Sequence, residues 1–421
     1  MRTHRHLGQW SSLRLLAGTG AATLAFVGVP PAPAATAADQ CTFPGKMYEG
    51  RPWALQRVLL DEVWKQSMGE GVRVAVIDTG VDVKNPQLAP AVDVRSGRNY
   101  LPKNLKDDQG NKIERGREDG TTDVVGHGTK VAGIIAARPV KGTGFVGLAP
   151  KATIIPIQQN DAEGHGDTKT LADAIDHAVR AKADVINISQ DTVNAIARSS
   201  TLKDAVDNAL AKEIVIVASA GNDGLGGNVK ETYPASYDGV LAVAAADRNN
   251  ERAAFSQSGE FVDVAAPGVD MVSTVPGGGH CADNGTSFSA PYVAGVAALI
   301  KAKHRDWTQE QITAQIMQTA ERSIPGHDRL VGWGVIDPVR ALTEDDKPIE
   351  QPVPSNEGAG QAKAPTVAQL PLGETPQERA VRLGTYVVVG SMLLVAVIAG
   401  GSVAMRDGRR KAGGSRGDTS F

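Results

Sequence analysis

The 421-residue chain contains few of the residues that mark several specialised classes of protein. It has only two cysteines, and aromatic residues make up 4% of it. Its 44 basic and 47 acidic residues leave a net charge of −3. These values exclude a disulfide-rich scaffold and give no basis for nucleic-acid binding. Neither an internal repeat nor a metal-ligand cluster is apparent in the sequence, so we expect no metal and no other cofactor.

Apolar residues make up 41% of the chain, which is ordinary for a globular domain with a full core. They form six continuous runs, at 72–77, 153–157, 185–188, 214–217, 240–243 and 261–264. Continuous rather than alternating runs predict strands buried on both faces, hence a parallel sheet. Segments with helical periodicity, such as 171–179 and 202–210, lie between the runs. The sequence therefore predicts an α/β protein with a doubly wound, mostly parallel sheet and flanking helices.

Four short strings lie at points where an expected strand gives way to a turn or helix. They are Asp78-Thr79-Gly80, Gly126-His127-Gly128-Thr129, Ala220-Gly221-Asn222 and Gly285-Thr286-Ser287. A serine hydroxyl becomes a strong nucleophile when a histidine takes its proton, a carboxylate orients that histidine and a donor meets the oxyanion. The strings supply acid, base, donor and nucleophile, in a chain order known for hydrolytic triads: Asp78, His127, Asn222 and Ser287.

Each of these assignments has a simpler alternative. The Asp78 string alone would fit an aspartic protease. That chemistry needs a second Asp-Thr-Gly or Asp-Ser-Gly string, which the sequence lacks, and the α/β pattern also argues against an aspartic protease. His165 is also flanked by glycines, yet it leads into polar helix caps, so we assign it to a loop near the cleft. Asn222 also fits an ordinary turn. Ser289 is a rival to Ser287 as nucleophile.

The strings around Asp78, His127 and Ser287 resemble those of the subtilisin-like serine proteases, over roughly residues 71–339. The resemblance implies that Asp78 orients His127 and that His127 acts first as general base and then as general acid. It further implies that Ser287 attacks the substrate and that Asn222 stabilises the oxyanion.

Three positions depart from the usual pattern of this family. Asn85-Pro86-Gln87-Leu88 stands where members usually carry a histidine, and Lys130 where they often repeat one. The segment that ends at Ser189 resembles the strand that pairs with substrate, and it continues with Gln190-Asp191 where Leu-Gly is common. We expect Ser189, Gln190 and His165 to contact substrate.

The two ends of the chain carry apolar segments with different expected roles. A basic region, an apolar stretch over 15–29 and the string Ala35-Thr36-Ala37 predict a secretory signal peptide, with an uncleaved anchor as the alternative. Residues 383–405 lack charge and would extend roughly 34 Å as a helix, enough to span a bilayer. A buried core helix is the alternative. The basic excess over 406–421 marks the cytoplasmic side.

These signals divide the chain into six expected parts. They are the signal peptide 1–37, an N-terminal arm 38–70, a protease domain 71–343, a proline-rich linker 344–382, a transmembrane helix 383–405 and a cytoplasmic tail 406–421. On this topology Cys41 and Cys281 face an oxidising compartment. One disulfide between them is the simplest expectation, and free or intermolecular thiols are the alternative.

Three local expectations concern segments around the candidate residues. The charged, glycine-rich stretch 96–123 predicts a solvated loop beside the cleft. Pro291 is expected in the first turn of the helix that carries Ser287, where a missing N–H costs little. The arm has apolar residues that suit a short helix laid on the protease domain: Trp53, Leu55, Val58, Leu59 and Val63.

A subtilisin-like domain held outside the cell by one C-terminal helix resembles the mycosins, the membrane-anchored proteases of actinobacterial type VII secretion systems. The short arm, the tether and the string Phe288…Pro291-Tyr292-Val293-Ala294-Gly295 carry this resemblance. It implies protein or peptide substrates and association with the membrane complex of a type VII secretion system. The alternatives are a free-standing degradative protease tethered to the surface, and a scaffold whose fold matters more than its catalysis.

Overall fold

The structure is a computed structural model that forms two compact units, one ending at Pro354 and the other beginning at Ser355. It describes residues 41–104, 106, 110, 112, 114–161, 166–190, 201–227, 231–354 and 376–413. The expected signal peptide lies outside these described residues, and so does most of the expected linker.

A seven-stranded parallel sheet forms the centre of the first unit, and six of its strands correspond to the six apolar runs. The seventh, Arg98–Asn99, lies in the stretch 96–123, which the sequence predicts to be a loop. The strands of the sheet, in chain order, are β1 Arg73–Asp78, β2 Arg98–Asn99, β3 Thr153–Gln158, β4 Val185–Ile188, β5 Val215–Ser219, β6 Leu241–Ala246 and β7 Val264–Pro267. Their order across the sheet is β2-β3-β1-β4-β5-β6-β7, and every pairing is parallel. A separate antiparallel hairpin consists of β8 Met271–Thr274 and β9 His280–Asp283.

Helices cover both faces of the sheet, which confirms the doubly wound prediction. The described helices are α1 Trp53–Gln56, α2 Leu60–Gln66, α3 His127–Ala136, α4 Thr168–Arg180, α5 Thr201–Leu210, α6 Thr286–Lys303, α7 Gln309–Thr319, α8 Pro338–Thr343 and α9 Pro376–Gly413. On one face, α3 and α6 pack on strand residues such as Val74 and Val217. On the other face, α4 and α5 pack on the alternate residues, such as Ala75 and Ala218.

Two local expectations about the elements are wrong. The last strand begins at Val264 rather than at residue 261, because the carbonyl oxygens of Val262 and Asp263 accept hydrogen bonds from His327 and Trp333. Helix α6 begins at Thr286, so Pro291 lies in its second turn. Proline has no N–H, so the carbonyl of Ser287 loses the partner it would have within a regular helix.

The N-terminal arm packs on the protease fold through α1 and α2. Leu55, Val58 and Val63 are buried in the core, and the Trp53 indole N–H donates to the carbonyl of Val269 over 3.0 Å. Leu59 does not join them, because its left-handed backbone at the start of α2 leaves its side chain 57% exposed. The arm is therefore part of the same compact unit as the sheet.

The second unit contains α9. Among the described residues, one helix is long and apolar enough to cross a membrane: Gln377–Asp407, which contains an 18-residue window with mean hydropathy 2.3. The segment 383–405 expected from the sequence lies within it.

Candidate active site

The candidate residues lie at the carboxyl ends of strands and at the beginnings of helices. Asp78 is the last residue of β1, and Asn222 follows β5 in the same sheet. His127 is the first residue of α3, and Ser287 is the second residue of α6. In an open α/β sheet this edge is where ligands bind, because strand ends and helix N-termini meet there.

A cavity of about 250 Å³ brings most of the candidate residues together. Of the residues expected to contact substrate, Ser189 and Gln190 line it, whereas His165 lies outside the described residues. The full lining is Thr79, Val125, His127, Asn160, Asp161, Ser189, Gln190, Ser219, Asn222 and Ser287.

Asp78 and His127 form a direct pair at the wall of this cavity. Nδ1 of His127 lies 2.7 Å from Oδ1 of Asp78, and the carboxylate is 1% exposed. An ionised carboxylate only accepts, so Nδ1 is the donor and Nε2 carries the free lone pair. Burial opposes charging of the ring, but the charge and hydrogen bond of Asp78 outweigh it, so the pKa of His127 lies above its usual value.

Glycines on both sides allow His127 to sit this close to β1. Gly126 caps α3 with φ of 84°, a left-handed conformation that favours glycine. A Cβ at Gly128 would overlap the carbonyl oxygen of Gly80, which lies two residues after Asp78. The first turn of α3 can therefore approach the end of β1 only with glycine at position 128.

Ser287, rather than Ser289, has access to the cavity. Ser287 lines it and is 7% exposed. Ser289 is fully buried, and its hydroxyl donates to the carbonyl of Pro267 over 3.2 Å. The N-terminus of α6 also gives the surroundings of Ser287 a positive potential.

The side-chain oxygen of Asn222 is held by Thr286. Its Oδ1 accepts from the backbone N–H of Thr286 over 2.9 Å and from the Thr286 hydroxyl over 3.1 Å. The carbonyl end of the side chain is therefore occupied. The amide Nδ2 is left as the donor that Asn222 offers to the cavity.

Two of the lining residues are fixed by neighbouring amides. The hydroxyl of Ser189 accepts from Nδ2 of Asn187 over 2.7 Å. Nε2 of Gln190 donates to Oε1 of Gln159, whose own Nε2 donates to the Thr170 hydroxyl over 2.9 Å. Hydrogen-bonded polar side chains, from Gln190 through Gln159 to Thr170, therefore lie on this side of the cavity in place of an open apolar slot.

The residues that depart from the family pattern have structural partners. The ammonium of Lys130 is buried and lies 2.7 Å from the carboxylate of Asp283. The Gln87 amide donates to the carbonyls of Arg138 and Phe145, at 2.9 and 3.0 Å. At both positions the polar side chain therefore has hydrogen-bond or ion-pair partners within the fold.

Sequence reasoning missed one residue of this region, Asp123. The stretch 96–123 was expected to be a solvated loop, but Asp123 is only 4% exposed. Its carboxylate accepts hydrogen bonds from backbone N–H groups at the start of α3, and these bonds stabilise its buried negative charge. Asp123 lies three residues before Gly126, the cap of α3, so it is outside the position at which an aspartate signals the start of a helix, and no local pattern identifies it.

Cys41 and Cys281 form the expected disulfide, which joins the arm to β9. Backbone bonds extend this junction: Gly45 N–H donates to the Gly278 carbonyl, and His280 N–H to the Lys46 carbonyl, both over 2.9 Å. Within the part of the chain that the structure describes, no group of three or more His, Cys, Asp or Glu side chains is arranged to hold a metal ion.

Comparison with known proteins gives one consistent family. The Peptidase S8 (subtilase) family matches residues 69–334. M-protease of Shouchella clausii (strain KSM-K16) is 35% identical over 291 residues, covering 69% of this chain and 69% of that protein. The solved structure of MycP1 with the N-terminal propeptide removed is 35% identical, with a TM-score of 0.61, and covers 70% of this chain and 97% of that one. MycP3 protease from the type VII (ESX-3) secretion system is 34% identical, with a TM-score of 0.61, over 72% and 90% of the two chains.

The fold and the relatives define a serine protease of the subtilisin type. The chain belongs to the subtilase family, and its structural neighbours include mycosin proteases.

Proposed function

We propose that the protein is a membrane-anchored serine endopeptidase in which Asp78, His127 and Ser287 form the catalytic triad and Asn222 is the oxyanion donor. One observation carries the proposal. The 2.7 Å contact between His127 Nδ1 and Asp78 Oδ1 lies at the wall of the cavity that Ser287 and Asn222 also line.

The chemistry follows from these groups. The Oγ of Ser287 attacks the scissile carbonyl carbon, its proton passes to Nε2 of His127, and the carbonyl oxygen becomes an oxyanion that accepts from Nδ2 of Asn222. His127 then gives the proton to the leaving amine, which breaks the C–N bond and leaves an acyl-enzyme. Water, deprotonated by His127, releases the acid and restores Ser287. Asp78 keeps the imidazole in the required tautomer and stabilises its charged form throughout.

Ser189, Gln190 and His165 are the residues we propose to contact substrate. The hydrogen-bonded pair of Gln190 and Gln159 supports selection of substrate side chains by hydrogen bonding rather than by a deep apolar slot. Protein or peptide chains are the substrate class, and the mechanism uses no cofactor.

We further propose that α9 anchors the protein in the cell membrane, with the protease domain outside and the basic tail inside. The hydropathy of Gln377–Asp407 and the positive charge after it support this topology. In this proposal residues 1–37 are a cleaved signal peptide, and the linker expected over 344–382 tethers the first compact unit, which extends to Pro354 rather than ending at residue 343. The structural likeness to the MycP3 protease from a type VII secretion system supports an association with such a membrane complex.

Four strains of the source organism test this role: wild type, complete deletion, Ser287→Ala, and truncation after Pro354. We expect Ser287→Ala to leave the protein at the membrane and to abolish cleavage of secreted substrates, detected by comparing secreted N-termini. The truncated enzyme should cleave peptides yet fail to support secretion. Unchanged secretion after deletion, with no second copy in the genome, would indicate a free-standing degradative protease. Unchanged secretion and unchanged secreted N-termini in Ser287→Ala, with loss of secretion on deletion, would indicate a scaffold.

A further inference from the structure

We propose that Asp123 is a positioning residue for the catalytic pair, because its carboxylate joins the segment that carries His127 to the segment that carries Asp78. The inference rests on the proposed function, and it assigns a specific task within it. Asp123 itself does not line the cavity that holds Ser287.

The carboxylate of Asp123 accepts five hydrogen bonds. Oδ1 accepts from the N–H groups of Val125 and Gly126, at 3.1 and 2.7 Å, and from the Thr79 hydroxyl at 2.9 Å. Oδ2 accepts from the N–H and the hydroxyl of Thr129, at 2.8 and 2.6 Å. Three of these donors are amides on either side of His127, so the carboxylate sets the backbone from which the imidazole projects.

Thr79 connects this network to Asp78. Its hydroxyl donates to Asp123 and accepts from the N–H of Gly128 over 2.9 Å, while its own N–H donates to Oδ1 of Asp78 over 2.7 Å. Gly128, after His127, therefore bonds directly to Thr79, and Gly126, before His127, is joined to Thr79 through Asp123. A shift of α3 along β1 would break several of these bonds together.

The hydroxyl of Thr129 provides a second link to the same loop. It donates to Asp123 and accepts from the N–H of Asp82 over 3.0 Å. Every partner of the Asp123 carboxylate is thus a donor, and the two hydroxyls are already oriented by the bonds they accept. Only a group that accepts at both oxygens satisfies all five, and an amide does not.

The charge of Asp123 also acts on His127. Burial raises the pKa of Asp123 to about 6, against the lowering effect of its hydrogen bonds, and the nearby Asp78 raises it further. The charged groups around His127 are Asp78 from β1, Asp123 from the loop before α3, and Lys130 of α3, which is paired with Asp283 of β9. Asp161 lines the same cavity. The negative charge of Asp123 favours the imidazolium form of His127.

The test compares the full-length enzyme with Asp123→Asn, Thr79→Val and Thr79→Ser. Asp123→Asn keeps the shape but places an NH₂ against N–H and O–H donors. Thr79→Val removes the bridging hydroxyl, and Thr79→Ser keeps it. Asp263→Asn is the matched control, since Asp263 is also a carboxylate whose pKa is raised by burial, to about 7, but among the described residues it accepts one hydrogen bond, from the N–H of Ala242.

We expect Asp123→Asn and Thr79→Val to lower kcat by about 10- to 100-fold, with a much smaller change in KM, because the base is displaced rather than removed. Thr79→Ser should recover most of the kcat that Thr79→Val loses. The second readout is the pKa of His127, followed by NMR on ¹³C-histidine-labelled protein in the Ser287→Ala background. Asp123→Asn should lower this pKa, and Asp263→Asn should leave both kcat and the pKa unchanged.

An unchanged kcat together with an unchanged pKa of His127 in Asp123→Asn would overturn the inference. So would a Thr79→Ser variant as impaired as Thr79→Val, because the hydroxyl would then not be the link. If Asp123→Asn fails to fold, the Thr79 pair decides the outcome alone. Absence of Ser287-dependent hydrolysis in the wild type would instead overturn the proposed function, while the His127 titration would still decide the role of Asp123.

Discussion

The ring of Phe43 occupies the position that a Cβ at Gly126, the residue before His127, would take. Phe43 lies two residues after Cys41, whose disulfide to Cys281 fixes this part of the arm to β9. The N-terminal arm therefore contacts the turn that begins the histidine helix, and its attachment bears on both stability and the site.

Replacing both cysteines, as Cys41→Ser with Cys281→Ser, should lower the free energy of unfolding by about 2–5 kcal/mol, because the bond closes a loop of 240 residues in sequence separation. Chemical denaturation of the purified protein measures this loss. Reduction of the wild type should produce a comparable loss, and reduction of the double variant should produce none. Equal stability of the wild type and the double variant would show that the arm is held by its other contacts.

The dependence of kcat/KM on pH should follow the ionisation of His127. The imidazole must be neutral to accept the proton of Ser287, and its pKa is raised by Asp78 despite its burial. Activity should therefore rise with pH, with the midpoint of the acidic limb above about 6.5. Asp78→Asn, which removes the charge, should move this limb to lower pH while reducing kcat. A limb centred at or below the usual pKa of a histidine in the wild type would contradict the assignment of the base.

The buried carboxyl of Asp263 should make the free energy of unfolding depend on pH. Burial raises the pKa of its carboxyl to about 7, above the unfolded value, so the folded protein binds more protons between about pH 4 and 7. The stability contributed by the protonated form is present below pH 4 and lost as pH rises through 7. Asp263→Asn should therefore be more stable than the wild type at pH 8, by about 1–4 kcal/mol, with little gain at pH 4. Thermal denaturation at the two pH values measures the difference, and an equal change at both would refute it.

Truncation after Pro354 should release a soluble and active protease. The first compact unit ends there, and residues beyond Asp346 still contribute contacts to it. Gln311 Nε2 donates to Glu350 over 2.8 Å, and Val353 N–H donates to Gln318 Oε1 over 2.7 Å. A truncation after Asp346 removes both and should be less stable. Fractionation of cells and hydrolysis of a peptide test the prediction. Membrane retention of the chain truncated after Pro354 would contradict the anchoring role of α9.

The sheet and the placement of the candidate residues were predictable from the sequence because both depend on local patterns. A continuous apolar run such as 185–188 fits a strand buried on both faces wherever it lies, and a polar residue just after it, such as Asn222 after β5, falls at the edge where ligands bind. Gly128 next to His127 is explained only by the approach of α3 to Gly80.

The burial of Asp123 was not predictable in the same way. A charged, glycine-rich stretch is usually solvated, and nothing within it indicates that Thr79 and Thr129 will supply donors from elsewhere in the chain. The second-turn position of Pro291 and the exposure of Leu59 likewise depend on where α6 and α2 begin. These boundaries are set by tertiary contacts, which residue patterns describe least well.

Alanine variants of the proposed catalytic residues should lose peptide hydrolysis to different extents. Ser287→Ala and His127→Ala should each abolish peptide hydrolysis, on the scale of the loss of about 10⁶ in turnover known for subtilisin itself. Asn222→Ala should reduce it by about 10²–10³, the scale known for the oxyanion asparagine of subtilisin. His177→Ala, a half-buried histidine bonded to the Ser96 carbonyl, serves as the control and should retain activity.

The decisive measurement is peptide mapping after treatment of the full-length protein with a fluorophosphonate, which reacts with activated serines. We expect one adduct, on Ser287, that is lost in His127→Ala and retained in His177→Ala. An adduct on Ser289, or no adduct on a protein that hydrolyses peptides, would contradict it.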